Sequence, residues 1–347
     1  MKVCYISGGA TVPSVRFRLP FFKMLDERGH RCQVLHSCPS RYDFFPLVGW
    51  RASQLIRQSI RYWHRLRIKL SRFDVVVLET EMFHTDDASF EVHIRNLASR
   101  LIYDVDDAVF LLFPEKCEAI ARMADHVIAG NEKIAVWARN FNAHVSVIPT
   151  CIDEQIYTPK NDGDVSNHGR PVIGWIGSSG NFSMLNVVST ALRRLATELD
   201  FELRLVTSLK AVRNQVDLSG INVVWVDIDR CDVISELHKM DIGIMPLESE
   251  NPWMHFKCNA KMIQYMGVGV PAVGTAIGFS RSLIEHGKNG MLASDDADWE
   301  SSLRQLLGSA NLRRSLGAAG RETILKSFTV QSQIAQYESI LMGKPSE

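Results

Sequence analysis

The chain has 347 residues, 46% hydrophobic and 22% charged, the composition of a globular protein with enough apolar content for two cores. Its 39 basic and 39 acidic side chains cancel, which excludes a global pull toward nucleic acid and leaves anion attraction to local patches. The cysteines number seven, with none in Cys-x-x-Cys spacing, which argues against a disulfide framework or zinc site and for reduced thiols in the cytoplasm.

The opening MKVCYISGG holds too short an apolar run for a signal peptide and reads as a first strand. No apolar run approaches the length that spans a bilayer. Through the first half, β-rich runs at 3–6, 32–35, 75–78, 101–103, 126–128 and 145–148 alternate with helical stretches at 20–28, 54–70, 90–98, 116–124 and 134–140. Such alternation predicts a doubly wound parallel sheet. After the first strand comes SGGATVPSVRFR. Gly8 and Gly9 there allow a backbone to approach phosphate, and Arg16 and Arg18 are candidates for an anion; a surface helix start is the plain alternative.

Residues 51–73 hold seven Lys or Arg and no acid. Leu55, Ile56, Ile60, Trp63, Leu66 and Leu70 make one helical face, with Arg51, Arg57, Arg61, Arg65, Lys69 and Arg72 opposite. That pattern suits an anionic membrane surface. It also suits a helix packed by its apolar face with its arginines in water, and this second reading is preferred. Next, LIYDVDDAVFLLFP places Asp104, Asp106 and Asp107 at or just beyond the carboxyl end of a strand. Carboxylates there can contact ligand hydroxyls or take a proton; capping the next helix is the alternative.

Residues 161–171, polar with Asn, Asp and Gly, form the clearest linker. Strands restart at 172–176, 201–206, 223–226, 242–245, 272–273 and 291–293. The domains expected are 1–160 and 172–326, with a helix at 327–343 returning to the first. Ligands in such sheets bind at the carboxyl ends of strands. The first strand of the second domain runs into Gly177, Ser178, Ser179 and Gly180, then a helix capped by Asn181 or Ser183. Small residues let a phosphate reach the backbone N–H groups; a bare strand–helix turn reads equally well. In FKCNAKMIQYMGVGVPAVG, residues 256–274, a helix puts Lys257, Lys261, Gln264 and Val268 on one stripe at about 100° per residue. Cys258, Met262, Tyr265 and Met266 face burial. Pro271 ends the helix by Gly269.

These segments, together with DIGIMPLE, LRRSLGAAGRETILKSFT and ADHVIAGNEKIAVWARNFNAHVSVIPTCIDEQIYTP, resemble glycosyltransferase family 4, in order and over most of the second half and the end of the first. The resemblance implies a GT-B fold: two Rossmann-like α/β domains facing across a cleft. It implies retaining, metal-independent transfer from a UDP- or GDP-sugar, with no cofactor, to a glycan or lipid-linked hydroxyl acceptor, as in polysaccharide biosynthesis. The cysteine usage points to the cytoplasm, and the basic amphipathic stretch 51–72 leaves peripheral membrane contact open. The family's paired glutamates, separated by seven residues, are absent: Gln264 stands at the second position and Phe256 at the first. A subgroup with Lys-x-x-Gln-Tyr-Met is familiar in the family. Glu248 and Glu250 are the nearest acids to replace the first glutamate.

On this reading Lys261, helped by Lys257, Gly177, Ser178 and Ser179, stabilises the leaving diphosphate, and Gln264 holds the ribose. The region 225–229 is a further candidate for the base. Gly8, Gly9 and Arg18 face the donor phosphates from the first domain. Asp104, Asp106 and Asp107 serve the acceptor, and none is a metal ligand. A nucleotide-sugar epimerase and a non-catalytic nucleotide-sugar-binding protein are the competing readings. A Rossmann oxidoreductase is disfavoured, because Gly-Gly-Ala-Thr-Val-Pro follows the first strand.

Overall fold

The structure is a computed structural model and describes residues 1–41, 43–160, 169–208 and 215–344. Contacts divide it into two compact units. Unit 1 holds Met1–Cys151, Phe256–Cys258 and the chain from Gln333; unit 2 holds Ile152–His255 and Asn259–Ser332. Of the expected linker, 161–168 lies outside the described residues. Residues 152–160, expected on the first domain, belong to unit 2, where Lys160 Nζ lies 2.9 Å from the Asp241 carboxylate.

Unit 1 runs β1 (Lys2–Ser7), α1 (Pro13–Glu27), β2 (Arg31–His36), α2 (Gly49–Ser71), β3 (Val75–Glu79), α3 (Ser89–Arg95), β4 (Leu101–Val105), α4 (Pro114–Met123), β5 (His126–Ala129), α5 (Glu132–Arg139) and β6 (Val145–Val147). The strands form one parallel sheet in the order β2-β1-β3-β4-β5-β6. Strands β3 and β4 are buried along their whole length, as expected when helices cover both faces of a parallel sheet.

Two helices depart from expectation. The first starts at Pro13, not Pro20. Pro13 suits the first turn, and Val15, Arg18, Phe21, Phe22 and Leu25 fall on one buried face. Burial of that face outweighs the break that Pro20 imposes on the helix interior. The second, α2, is turned the other way round: Arg57, Arg61 and His64 are buried with Ser53 and Ile68, while Leu55, Trp63, Leu66 and Leu70 are exposed. The preferred reading, with the apolar face packed and the arginines in water, is therefore overturned. Backbone carbonyls decide the matter. Arg57 donates to the carbonyls of Pro39, Ser40 and Asp43, and Arg61 to that of Ser7.

Unit 2 runs β7 (Val172–Ile176), α6 (Asn186–Ala196), β8 (Glu202–Thr207), β9 (Asn222–Asp227), α7 (Val233–His238), β10 (Ile242–Met245), α8 (Ala260–Gly267), β11 (Ala272–Thr275), α9 (Ser280–Leu283), β12 (Met291–Ala293), α10 (Asp296–Gly308) and α11 (Ala310–Ser327). Its parallel sheet has the order β12-β11-β10-β7-β8-β9. Trp175, Phe182, Leu192, Leu205, Ile244 and Trp299 are among its buried core. The helix expected directly after Gly180 begins instead as a 3-10 segment, Ser179–Leu185, and neither Asn181 nor Ser183 caps α6. The final helix, α12 (Val330–Met342), packs with unit 1 from Gln333 on. There Tyr337 lies with its ring centroid 4.7 Å from that of Phe21, and Glu338 pairs with Arg28 and His30 at 2.6 Å.

Candidate functional site

In unit 2 the site is built on the carboxyl end of β7. Helix α8 is fastened to the sheet by Tyr265, whose hydroxyl accepts the N–H of Ile176 at 2.9 Å and lies 3.4 Å from the Ile244 carbonyl. The ring lies flat against β10 because Gly243 has no side chain; a Cβ there would come within 2.3 Å of it. Gly274 likewise makes room for Met262 on β11. With α8 so fixed, Lys261 is half-buried and its ammonium sits 4.3 Å from the centroid of the Trp175 ring. An aromatic face at that distance attracts a cation through the ring quadrupole. The same ammonium borders the strand–helix turn, since a Cβ on Gly177 would lie 2.7 Å from Lys261 Nζ. Beyond Gly177, Ser178 and Gly180 are exposed and Ser179 half-buried, and the space around Gly180 is open.

The single stripe of Lys257, Lys261, Gln264 and Val268 does not exist. Asn259 takes a left-handed conformation at φ 51°, buried with its amide donating to Ser280 Oγ, so the helix starts at Ala260. Lys257 lies before it and packs with unit 1, where its ammonium is 2.9 Å from Asp107. Gln264 is buried, and its amide donates to the Tyr157 hydroxyl at 2.8 Å. Val268 is also buried. Glu248 and Glu250 are exposed on the segment after β10, and neither is bonded to Gln264. In the 225–229 region, Asp229 accepts from Ser208 Oγ at 3.2 Å and Asp227 lies 3.6 Å from Arg230.

In unit 1 the aspartates separate by role. Asp104 belongs to β4 itself, is buried, and forms a two-pronged ion pair with Arg18 at 2.9 Å on each prong. Arg18 also donates to the carbonyls of Ile148 and Pro149. Burial alone would lower the Arg18 pKa; the Asp104 carboxylate reverses this and raises it. Arg18 is thus engaged internally, not offered to an anion. Arg18→Ala would leave a buried carboxylate uncompensated and is expected to destabilise unit 1 by about 3–5 kcal/mol. Chemical denaturation checks this, and an unchanged midpoint would return Arg18 to the list of anion ligands.

Asp107 is held by Lys257. Asp106, half-buried between them in sequence, accepts from Cys258 Sγ at 3.0 Å through its backbone carbonyl. Burial first, then the carboxylates of Glu79, Asp104 and Asp107, push its carboxyl pKa up to about 8. Residues 256–258 are set beside it by Phe256 against Phe110, with centroids 5.1 Å apart, and by Asn131, whose amide donates to the Phe256 carbonyl at 2.7 Å. Gly130 admits the Cys258 thiol, which would stand 2.5 Å from a Cβ there.

Gly8 and Gly9 do not present the open backbone expected of them. The Gly8 N–H donates to Glu79 at 2.6 Å, and that of Gly9 to Ser7 Oγ at 3.3 Å. Glu79, which sequence reasoning missed, also accepts from the Ser14 hydroxyl. It is followed by Thr80 at φ 50°, strained for a β-branched residue, and by buried Glu81, paired with His84 at 2.8 Å and Arg41 at 3.5 Å. The one available signal was an acid closing the apolar run VVVLE at a strand's carboxyl end.

Two Rossmann-like α/β domains define the GT-B class, and solved structures share this fold. Sucrose-phosphate synthase from Thermosynechococcus elongatus superposes with a TM-score of 0.73 at 12% identity, over 99% of this chain and 98% of that one. Anabaena Alr3699/HepE, solved in complex with UDP, gives 0.66 at 14% identity over 99% and 100%, and it has also been solved with UDP-glucose. Residues 170–309 match the family model Glycosyl transferases group 1, which supports the glycosyltransferase family for this chain. N-acetyl-alpha-D-glucosaminyl L-malate synthase of Bacillus anthracis is 24% identical over 57% of this chain; the match spans about half, 54%, of that relative's length.

Proposed function

We propose that the chain is a nucleotide-sugar-dependent glycosyltransferase, moving a sugar from a UDP- or GDP-sugar to a hydroxyl of a glycan or lipid-linked acceptor in the cytoplasm. The observation that carries this is the Lys261 ammonium, set over Trp175 and against the Gly177 turn inside the segment that matches the family model. The donor's diphosphate takes on negative charge as the anomeric C–O bond breaks. A positioned cation in a partly desolvated site stabilises that charge. Ser178 and Ser179 supply backbone N–H and hydroxyl donors to the same group. The UDP and UDP-glucose complexes of Alr3699/HepE support this donor class, and the name of the malate synthase relative supports transfer to a hydroxyl.

Transfer with retention follows if the acceptor attacks the face that the diphosphate leaves, which requires no protein nucleophile. Asp106, in its carboxylate form, then takes the proton from the acceptor hydroxyl as the new glycosidic bond forms, and the diphosphate leaves with the electrons of the broken C–O bond. Asp104 is engaged by Arg18 and Asp107 by Lys257, so the aspartates do not form an open oxygen-donor set. We therefore assign the electrophilic role to Lys261 and none to a metal. Activity is expected to persist in EDTA; complete loss, restored by a divalent ion, would contradict the assignment. A thermal-shift screen of nucleotide-sugars identifies the donor. A ligand present at a hundred times its Kd stabilises the native form by about 2.7 kcal/mol. Product formed from donor alone would instead favour an epimerase.

A further inference from the structure

The outward side of α2 belongs to neither the Lys261 turn nor the Asp106 region. In the segment entering the helix, Phe44, Phe45, Leu47, Val48 and Trp50 are exposed, Leu47 completely at 101%. Along the helix the exposure continues at Leu55 (64%), Trp63 (54%), Leu66 (52%) and Leu70 (71%). These four, with Ile56 and Ile60, fall within an arc of roughly 140°. Rotation that would bury them is opposed by the hydrogen bonds of Arg57 and Arg61 to carbonyls of the Pro39–Asp43 loop and Ser7 on the opposite side. A contiguous apolar patch fixed outward in this way marks an interaction surface.

Charge selects the partner. From residue 44 to residue 73 the sequence has no acid, and Arg51, Arg67 and Lys69 are exposed within or beside the apolar stripe. A second copy docked by twofold symmetry would bring this surface against itself, cation toward cation, with no acid inside the patch to relieve the repulsion. An anionic lipid surface complements both features at once. We propose that segment 44–50 and the outward face of α2 lie on an anionic membrane, with the apolar side chains in the acyl boundary and the cations among the lipid phosphates. Trp50 and Trp63 then occupy the headgroup level, where their amphipathic rings are favoured. Arg67, inside the apolar arc, lays its stem along the acyl boundary and lifts its head to the phosphates. The inference is independent of the transfer reaction.

The test is sedimentation of the full chain with phosphatidylglycerol vesicles and with phosphatidylcholine vesicles, at low and high salt. Binding is expected to the anionic vesicles and to weaken with salt, as screening requires. Trp63→Ser with Leu66→Ser should lower lipid affinity by at least about tenfold, with no change in melting temperature because both side chains are exposed. Arg67→Gln with Lys69→Gln should lower it by roughly 30-fold and flatten the salt dependence. Equal binding to both vesicle types, or undiminished binding by the Trp63/Leu66 variant, overturns the proposal. So does a concentration-dependent dimer that the same variant abolishes without any lipid binding, which would assign the face to a second copy.

Discussion

Replacing Lys261 by alanine is expected to lower turnover by about 10²–10³-fold, the usual effect of removing one positioned donor from a developing oxyanion. Binding of the nucleoside diphosphate should weaken with it, while binding of the nucleoside alone should not. The melting temperature should stay near its starting value, because Lys261 is half-buried at the edge of the site, with its ammonium over the Trp175 ring. Two companions sharpen the result. Lys257→Ala should change nucleotide affinity little, since Lys257 is engaged by Asp107 in unit 1. Gly177→Ala should mimic the loss of Lys261, because the added methyl would meet the ammonium at 2.7 Å and the buried Trp175 ring at the same distance, and of the two only the ammonium is at the end of a flexible chain. If Lys257→Ala abolishes diphosphate binding and Lys261→Ala leaves it intact, the assignment of the two lysines is reversed.

Asp106→Asn carries the second large effect, visible in both activity and stability. A carboxyl whose ordinary pKa is 3.8 and whose folded value is about 8 binds a proton in the native state over a range where the unfolded chain has released it. Its contribution to stability is therefore fully present below about pH 4. It declines as pH rises through the folded value, and changes no further above it. Asparagine cannot ionise, so Asp106→Asn should raise the melting temperature at pH 9, leave it nearly unchanged at pH 4, and flatten the profile between. If Asp106 exchanges the acceptor proton, turnover should fall by about 10²–10⁴-fold. The wild-type rate should climb toward pH 8 as the base form accumulates. A stability profile that is the same with aspartate and asparagine would mean that this carboxyl titrates normally. An altered stability profile with unchanged turnover would leave Asp106 as a strained structural group.

Much of the fold was legible because strand and helix periods alternate along the chain. The strands of both six-stranded sheets were expected, the central ones almost to the residue, because short apolar runs bounded by polar segments mark them; their order in each sheet was not read from sequence. What could not be read was where a charged side chain points once tertiary carbonyls compete for it. The amphipathic pattern of α2 was correct and its orientation was not: a helical wheel shows two faces, but it is blind to the carbonyls of Pro39, Ser40, Asp43 and Ser7 that capture Arg57 and Arg61. The pairing of Arg18 was illegible for a similar reason, since its partner Asp104 is 86 residues away in sequence and on another element.

The 256–268 segment shows the same limit at a local scale. Its periodicity continued through Lys257, but a single left-handed residue, Asn259, delays the helix and sends Lys257 to a different unit from Lys261. Nothing in the identity of Asn259 requires that conformation, although asparagine tolerates it better than most residues. Lys261 itself was singled out from sequence, and its setting over Trp175 beside Gly177 arises from residues that the sequence reading had treated as separate motifs.

A crystal structure of the chain with bound UDP or GDP bears most directly on this account. It should place the β-phosphate at the Gly177–Gly180 turn with Lys261 Nζ about 2.7–2.9 Å from a phosphate oxygen, the distance of a charge-assisted hydrogen bond. A nucleotide seated elsewhere, with Lys261 still resting on Trp175 and out of reach of any phosphate, would contradict it.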